Sequence, residues 1–284
     1  MGLDQSFGYL KNHLPLRILR QECAMRILIV CDLEGAAGVV DFRTQTYDDG
    51  RYNEQAKRLS TLEVNALIEG ALEGGVTDPI VLDGHGSGGL DIEHIHREAR
   101  VMLGRPQRSV WEQGLKIDAQ FLYGHHAMDN TPDGVLCHSW SSRNITNCWL
   151  NDKLIGEIGF NIARAGEEGV PTIFLSGDRA AVDEARCYVP DIEGIVVKEG
   201  LSRTAALTLS PAKARDLIRE GARKAIGRVG SIATFTIPSP YTFVTEYQAA
   251  ASAESRAARE DAERTGTHTI KITGERLSEI AQKR

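Results

Sequence analysis

The sequence predicts an α/β fold, a mainly parallel sheet flanked by helices, with a smaller C-terminal α+β domain. Two observations predict it. Short β-branched runs alternate with longer helical patterns from Ile27 onward, and three early runs end in clusters of polar residues. After the helical stretch that reaches about Ile226, the rhythm changes to shorter strands and helices. The expected organisation is an N-terminal extension at 1–24, an α/β catalytic domain at 25–205 and a smaller α+β domain at 206–284.

The first strand, Ile27 to Cys31, runs into Asp32-Leu33-Glu34-Gly35. A helix from about Asn53 spaces Ala56, Leu59, Leu62, Ala66 and Leu67 along one face and stops at Gly74-Gly75, which reads as its cap. Pro79 to Asp83 is a second strand leading into Gly84-His85-Gly86, and Ala119 to Tyr123 a third leading into Gly124-His125-His126. Gly134 to Cys137 and Asn144 to Leu150 read as strands, and a helix starts near Ile155 with Glu157 in its first turn. Thr172 to Leu175, a helix opening at Asp178, and Gly194 to Val197 continue the sheet. Ser210-Pro211-Ala212 has the capping residue and first-turn proline of a helix start. Beyond it the sequence predicts strands at Ile232 to Thr236 and Thr267 to Ile272, with helices at Ala249 to Glu263 and Glu275 to Gln282.

Composition excludes several functions. Lys plus Arg total 33 against 39 for Asp plus Glu, so the chain offers no basic field for a nucleic acid. No apolar run approaches the ~20 residues of a membrane span. Five cysteines, odd in number and without a C-x-x-C pair, argue against a disulfide framework and for a reducing cytoplasm. Residues 1–24 scatter charges among apolar residues, unlike a signal peptide, and Met25 directly precedes the first strand. Translation is therefore expected to begin at Met25, with the preceding segment an appendage or a start-site error.

In open α/β sheets ligands collect beyond the carboxyl ends of the strands, which is where Asp32, Glu34, His85 and the His125-His126 pair fall. Residues i and i+2 of extended backbone point the same way, so Asp32 and Glu34 can face one cavity, where two bare carboxylates would repel each other. A cation removes that conflict. With His85, His126 and Glu157 the set has too many donors for one four-coordinate zinc and suits two divalent ions bridged by Asp32. Nitrogen and oxygen donors suit Zn²⁺ and also admit Mn²⁺ or Co²⁺. Two ions roughly 3.5 to 4 Å apart activate water and polarise a carbonyl, so hydrolysis is the expected chemistry.

Each residue also has a plain structural role open to it. An acid after a parallel strand caps turns, and an acid such as Glu157 is stabilised by a helix N-terminus without further purpose. Of His125 and His126, spacing does not say which faces the site. His138 reads equally as an ordinary histidine; His13, His94, His96 and His268 read as solvent-facing, and Cys31 and Cys137 as packing residues. The glycine-rich run Gly84 to Gly89 lacks the features of a nucleotide loop.

The ordered motifs Asp32-Leu33-Glu34-Gly35, Asp83-Gly84-His85, Gly124-His125-His126-Ala127, Cys137-His138-Ser139 and Gly156-Glu157-Ile158-Gly159, followed by Asn161, resemble the bacterial zinc-dependent D-aminopeptidases of the dipeptide-transport-operon type. Thr131-Pro132, Asn151-Asp152-Lys153, Gly177-Asp178-Arg179-Ala180, Ser202-Arg203 and Leu209 to Lys213 extend the likeness, which covers Met25 to about Ile272. The resemblance implies two zinc ions per subunit, bridged by Asp32 and completed by Glu34, His85, His126 and Glu157, and so selects His126 over His125. It implies His138 as the catalytic histidine, a two-domain subunit assembling into stacked pentameric rings, and short peptides with an N-terminal D-residue such as D-Ala as substrates. The expected enzyme is a cytoplasmic metallo-aminopeptidase acting through a metal-bound hydroxide. Two other readings stay open: a two-metal amidohydrolase acting on a non-peptide amide or a lactone, and a non-catalytic α/β metal-binding module. The chain departs from the family pattern at Val30, where a small hydroxyl residue is usual.

Overall fold

The computed structural model describes residues 24–104 and 109–283. Residues 1–23, including His13, Cys23 and nearly all of the expected N-terminal extension, lie outside the described residues. Among those described, β1 (Arg26–Cys31) is followed by α1 (Asn53–Glu73), β2 (Asp78–Asp83), β3 (Arg100–Met102) and β4 (Ala119–His125). Then come β5 (Ile145–Leu150), β6 (Lys153–Leu154), α2 (Glu157–Glu167), β7 (Thr172–Asp178), α3 (Arg179–Tyr188), β8 (Glu193–Ser202), β9 (Ala205–Thr208) and α4 (Pro211–Ile226). The chain continues through β10 (Tyr241–Tyr247), α5 (Ala250–Ala257), β11 (Glu263–Arg264), β12 (Thr269–Gly274) and α6 (Leu277–Lys283).

Seven strands form a sheet in the order β3-β2-β1-β4-β7-β8-β9, parallel throughout except for the last pair. Its central strands are buried on both faces because helices cover both. Gly194 and Ile195, neighbours on β8, touch Val182 of α3 and Gly221 of α4 respectively, so these helices lie on opposite faces. α1 packs against α4, where Gly70 lets the backbone at Arg219 approach closely. β1 has β2 on one side and β4 on the other. The winding reverses between β1 and β4, and this switch point opens a crevice at the strands' carboxyl ends.

The second sheet is antiparallel, in the order β11-β12-β10-β5-β6. β10 alternates as a one-sided strand should, burying Tyr241, Phe243 and Thr245 while Thr242 and Val244 are only half-buried. Its core includes Leu150, Phe160, Phe243, Ile270, Ile272, Leu277 and Ile280. Helix α2 joins the two units: Ile158, Ile162 and Ala165 belong to the large core, Phe160 and Ala163 to the small one. Helix α4 packs with the large sheet, whereas β5 and β6, at 145–154, belong to the small sheet, so sheet membership does not follow the sequence boundary expected at 205–206.

The expected strand at Gly134 to Cys137 is a loop. Asp133 and Leu136 have positive φ (57° and 53°), and the loop's amides bond to Asp178 and to the carbonyl of Arg203 instead of to a strand. Ile232 to Thr236 is an irregular connection, with the backbone of Phe235 seated against Gly166 of α2. The helix expected to Glu263 ends at Ala257, and Glu263 pairs with Lys271 of β12.

The candidate metal centre

The residues expected after the strands converge at the crevice between β1 and β4. Asp32 and Glu34 follow β1, His85 follows β2, His126 follows β4, and Glu157 opens α2. His126 Nε2 lies 3.3 Å from Asp32 Oδ2 and 3.5 Å from Glu157 Oε1, and His85 Nε2 lies 3.3 Å from Glu34 Oε1. The donors form two triads, Asp32–Glu34–His85 and His126–His138–Glu157, each with its atoms within 4.8 Å of one another. Asp32 Oδ2, facing His126, is the point where the triads meet.

Local structure aims each candidate donor. Gly124 has φ of +67°, and a Cβ there would lie 2.3 Å from the Asp32 carbonyl; one on Gly35 would lie 2.3 Å from that of His125. Glycines are thus required where the loops that carry Asp32 and His126 interlock. Asp32 Oδ1 accepts from the Leu33 amide at 2.9 Å, leaving Oδ2 to the centre. Asp83 accepts from the Gly89 amide and so closes the loop that holds His85. His126 Nδ1 donates to the Ala127 carbonyl at 2.9 Å and His138 Nδ1 to that of Leu136 at 2.9 Å, so each ring turns Nε2 inward. The two rings stack, centroids 3.9 Å apart at 18°. Trp140 donates its amide to Glu157 Oε1 at 2.8 Å. His125 takes no part in either triad: Nδ1 donates to the Tyr123 carbonyl, and Nε2 accepts from Asn161 at 3.4 Å.

The donor set fits divalent cations. Glu34 Oε2 and His126 Nε2 are buried and make no well-formed hydrogen bond within the protein, a cost that a metal–ligand bond removes. The electrostatics agree. Burial and the neighbouring Glu34 charge push Asp32 up to about 7, against the pull of His126. Burial opposes ionisation of Glu34 and Glu157, yet the adjoining imidazoles hold Glu34 well below its usual range and Glu157 at about 2. Burial disfavours charge on His85 and His126, but their carboxylate partners lift His85 to about 9 and His126 well above an ordinary histidine. Burial, helped by the His126 charge, lowers His138.

Protons therefore occupy the positions that cations would take. Zinc uptake at neutral pH is expected to release protons, and affinity to strengthen as pH rises from about 7 to 9, because protonated Asp32, His85 and His126 compete with metal. Calorimetric titration in buffers of different ionisation enthalpy measures both; a pH-independent affinity without proton release contradicts it.

Other residues, unmarked by motif spacing, brace the centre. Lys198, 1% exposed on β8, donates to the carbonyls of Glu34, Ala36 and Val39. Glu63 of α1 accepts from the Ala37 amide at 3.1 Å and from the Tyr123 hydroxyl at 3.0 Å. Asp178 accepts from the Val135 amide, and Arg203 donates to the Cys137 carbonyl, together fixing the loop before His138. The one available sequence signal for Lys198 is a charge directly after Val196-Val197 in a sheet strand. His94, paired with Asp91, and His268 are both exposed. Cys31 and Cys137 are buried free thiols, Cys187 is an exposed one, and Cys148 is buried. Among the described residues no helix is long and apolar enough to cross a membrane.

The centre opens into a cleft of about 1090 Å³, lined at this end by Asp32, Glu34, His85, His138 and Glu157. A family model described as D-aminopeptidase, peptidase family M55, matches residues 25–283. A D-aminopeptidase of Bacillus subtilis (strain 168) is 30% identical over 264 residues, spanning 91% of this chain and 94% of that one. A solved structure described as the Zn-dependent D-aminopeptidase DppA from Bacillus subtilis, a self-compartmentalizing protease, superposes with a TM-score of 0.84 at 30% identity, covering 91% of this chain and 95% of that chain. With two candidate metal triads at the switch point of the matching fold, this chain belongs to the M55 family of D-aminopeptidases.

Proposed function

We propose that the chain is a two-zinc aminopeptidase that removes an N-terminal D-residue, such as D-Ala, from short peptides. The observation that carries this reading is the meeting of two donor triads at Asp32 and His126, 3.3 Å apart, at the head of a peptide-sized cleft. Asp32, Glu34 and His85 would hold one ion, and His126 and Glu157 the other, with Asp32 shared between them. Zn²⁺ suits these donors and is the metal of the relative of known structure; Mn²⁺ and Co²⁺ suit them too. Bound cations supply Lewis acidity, lowering the pKa of water towards ~7 and polarising a carbonyl.

The chain's own residues do the rest. Leu136 fixes the His138 tautomer through Nδ1, so Nε2 is the nitrogen that can take a proton and pass it to a leaving amine. Stacking on His126 holds that nitrogen 4.0 Å from Glu157 Oε1. Because His138 also falls within a triad, a second role as a cation ligand has a specific basis. His138→Ala distinguishes them: turnover lost with both ions retained marks a proton carrier, and loss of one ion marks a ligand.

As in the self-compartmentalizing relative, subunits would assemble into a closed homo-oligomer, with stacked pentameric rings the form the family resemblance implies. Exposed Leu201 and Leu207, on the β8–β9 edge, suit burial between subunits. The free thiols fit the reducing cytoplasm as its location.

A hydrolysis panel with added zinc tests the activity. A peptide with a free D-Ala amine is expected to be cleaved faster than its L-Ala counterpart, and its N-acetylated form not to be cleaved. Equal cleavage of N-blocked amides or of a lactone points to the amidohydrolase instead, and no turnover at saturating metal to a binding module.

A further inference from the structure

The cleft has a second charged end. Three residues of α2, Glu157, Asn161 and Arg164, all line it, following the i, i+4, i+7 positions that share one helix face. The other faces of α2 are committed to the two hydrophobic cores, so this third face is the one turned to the cleft. Arg164 is largely buried. Its Nη2 donates to Ser109 Oγ at 2.6 Å, while Nε is a buried donor without a partner.

Among the described residues no carboxylate lies within 4.0 Å of the Arg164 guanidinium. The acids nearest in effect, Glu112, Glu167 and Glu168, are engaged elsewhere: Glu112 with Gln282, Glu167 with the Leu277 amide, and Glu168 with Arg276. Burial pulls the guanidinium below its ordinary pKa, and those three acids resist that pull only from a distance. A cation held in a substrate cleft without a close counter-ion matches an anionic group that arrives with the ligand.

From this arrangement we infer that Arg164 is a substrate-binding residue that takes the C-terminal carboxylate of a short peptide whose N-terminal residue lies at the metal centre. The inference rests on the proposed peptidase reading and extends it to substrate length. Glu157 and Arg164 are seven residues apart, about 10 Å along the helix. Two extended residues beyond the scissile bond span about 7 Å, and the arginine side chain, leaning towards the helix N-terminus, covers the remainder. Tripeptides fit best, and a longer chain would have to displace the guanidinium.

The test compares zinc-loaded full chain acting on the tripeptide D-Ala-Gly-Gly and on the same peptide amidated at its C-terminus. The wild type is expected to favour the acid by about 10- to 100-fold in kcat/KM, chiefly through KM, as a charge-assisted hydrogen bond would give. Arg164→Met should bring the acid-to-amide ratio to about one. Arg164→Lys, which keeps the charge and stem but loses the fork, should retain part of the preference and serves if the methionine variant does not fold. A merely structural role would slow acid and amide alike and leave their ratio unchanged. A wild-type ratio of one, or an unchanged ratio in either folded variant, overturns the inference. If neither peptide is cleaved, the peptidase reading fails separately. Calorimetric binding of the same two peptides then decides: tighter binding of the acid only when Arg164 is present sustains the subsite, and equal affinities overturn it.

Discussion

Asp32→Ala is expected to remove both cations and to lower kcat/KM by at least about a thousandfold, more than loss of a single transition-state donor costs. The size follows from position. Asp32 Oδ1 is tied to its own loop by the Leu33 amide, and Oδ2 faces His126 across the switch point, so this carboxylate belongs to one triad and adjoins the other. His85→Ala, which disturbs only the triad with Glu34, should lose one ion per chain. Plasma mass spectrometry on the purified variants, with circular dichroism to confirm folding, measures this. An Asp32→Ala protein that keeps two ions and turns over peptide contradicts the bridging role.

Lys198→Met is expected to weaken zinc binding by about 10- to 100-fold although Lys198 touches no ligand side chain, the size typical of residues that orient metal ligands. Its ammonium gathers the carbonyls of Glu34, Ala36 and Val39, turning the chain sharply after β1 so that both acids of Asp32-x-Glu34 reach the centre. Methionine fills the same space but leaves the Glu34 and Val39 carbonyls unsatisfied, at a cost of about 1 kcal/mol or more each, while the Ala36 carbonyl keeps the Val39 amide at 3.2 Å. Burial lowers the lysine to about 8, so the desolvation relieved by removing it offsets part of that cost. Unfolding of the metal-free variant should show a net loss of about 2 kcal/mol, and zinc titration the weaker affinity. Unchanged metal affinity in the folded variant would show that the loop keeps its shape without the clamp.

The parallel half of the fold was legible because its strands are buried on both faces. Such strands are short unbroken apolar runs, and those of β1, β2 and β4 stop at the polar residues that carry the chemistry. The small sheet was much less so. β10, at its centre, was missed: its buried positions Tyr241, Phe243 and Thr245 alternate with Thr242 and Val244, and its partner β5 lies about ninety residues earlier in the chain. Ile232 to Thr236 has the composition of a strand, but its place against α2 leaves it no ladder to join.

The same contrast holds at the centre. Asp32, Glu34, His85, His126 and Glu157 stand at predictable ends of elements, and the structure brings all five together. The choice between His125 and His126 depends on how the chain turns at the end of β4, which spacing cannot supply. His138 reaches the centre on a loop with left-handed residues, held by Asp178 and Arg203, and its geometry admits a ligand role beside the catalytic one that the family resemblance implies. Lys198 and Glu63 act on backbone atoms of residues far away in sequence, and no local pattern marks such contacts.

The most direct measurement is anomalous diffraction at the zinc edge from crystals of the zinc-loaded protein. Two peaks about 3.5 to 4 Å apart are expected, one against Glu34 and His85, the other against His126 and Glu157, with Asp32 between them. A single peak, or zinc bound away from these side chains, would contradict the two-ion centre.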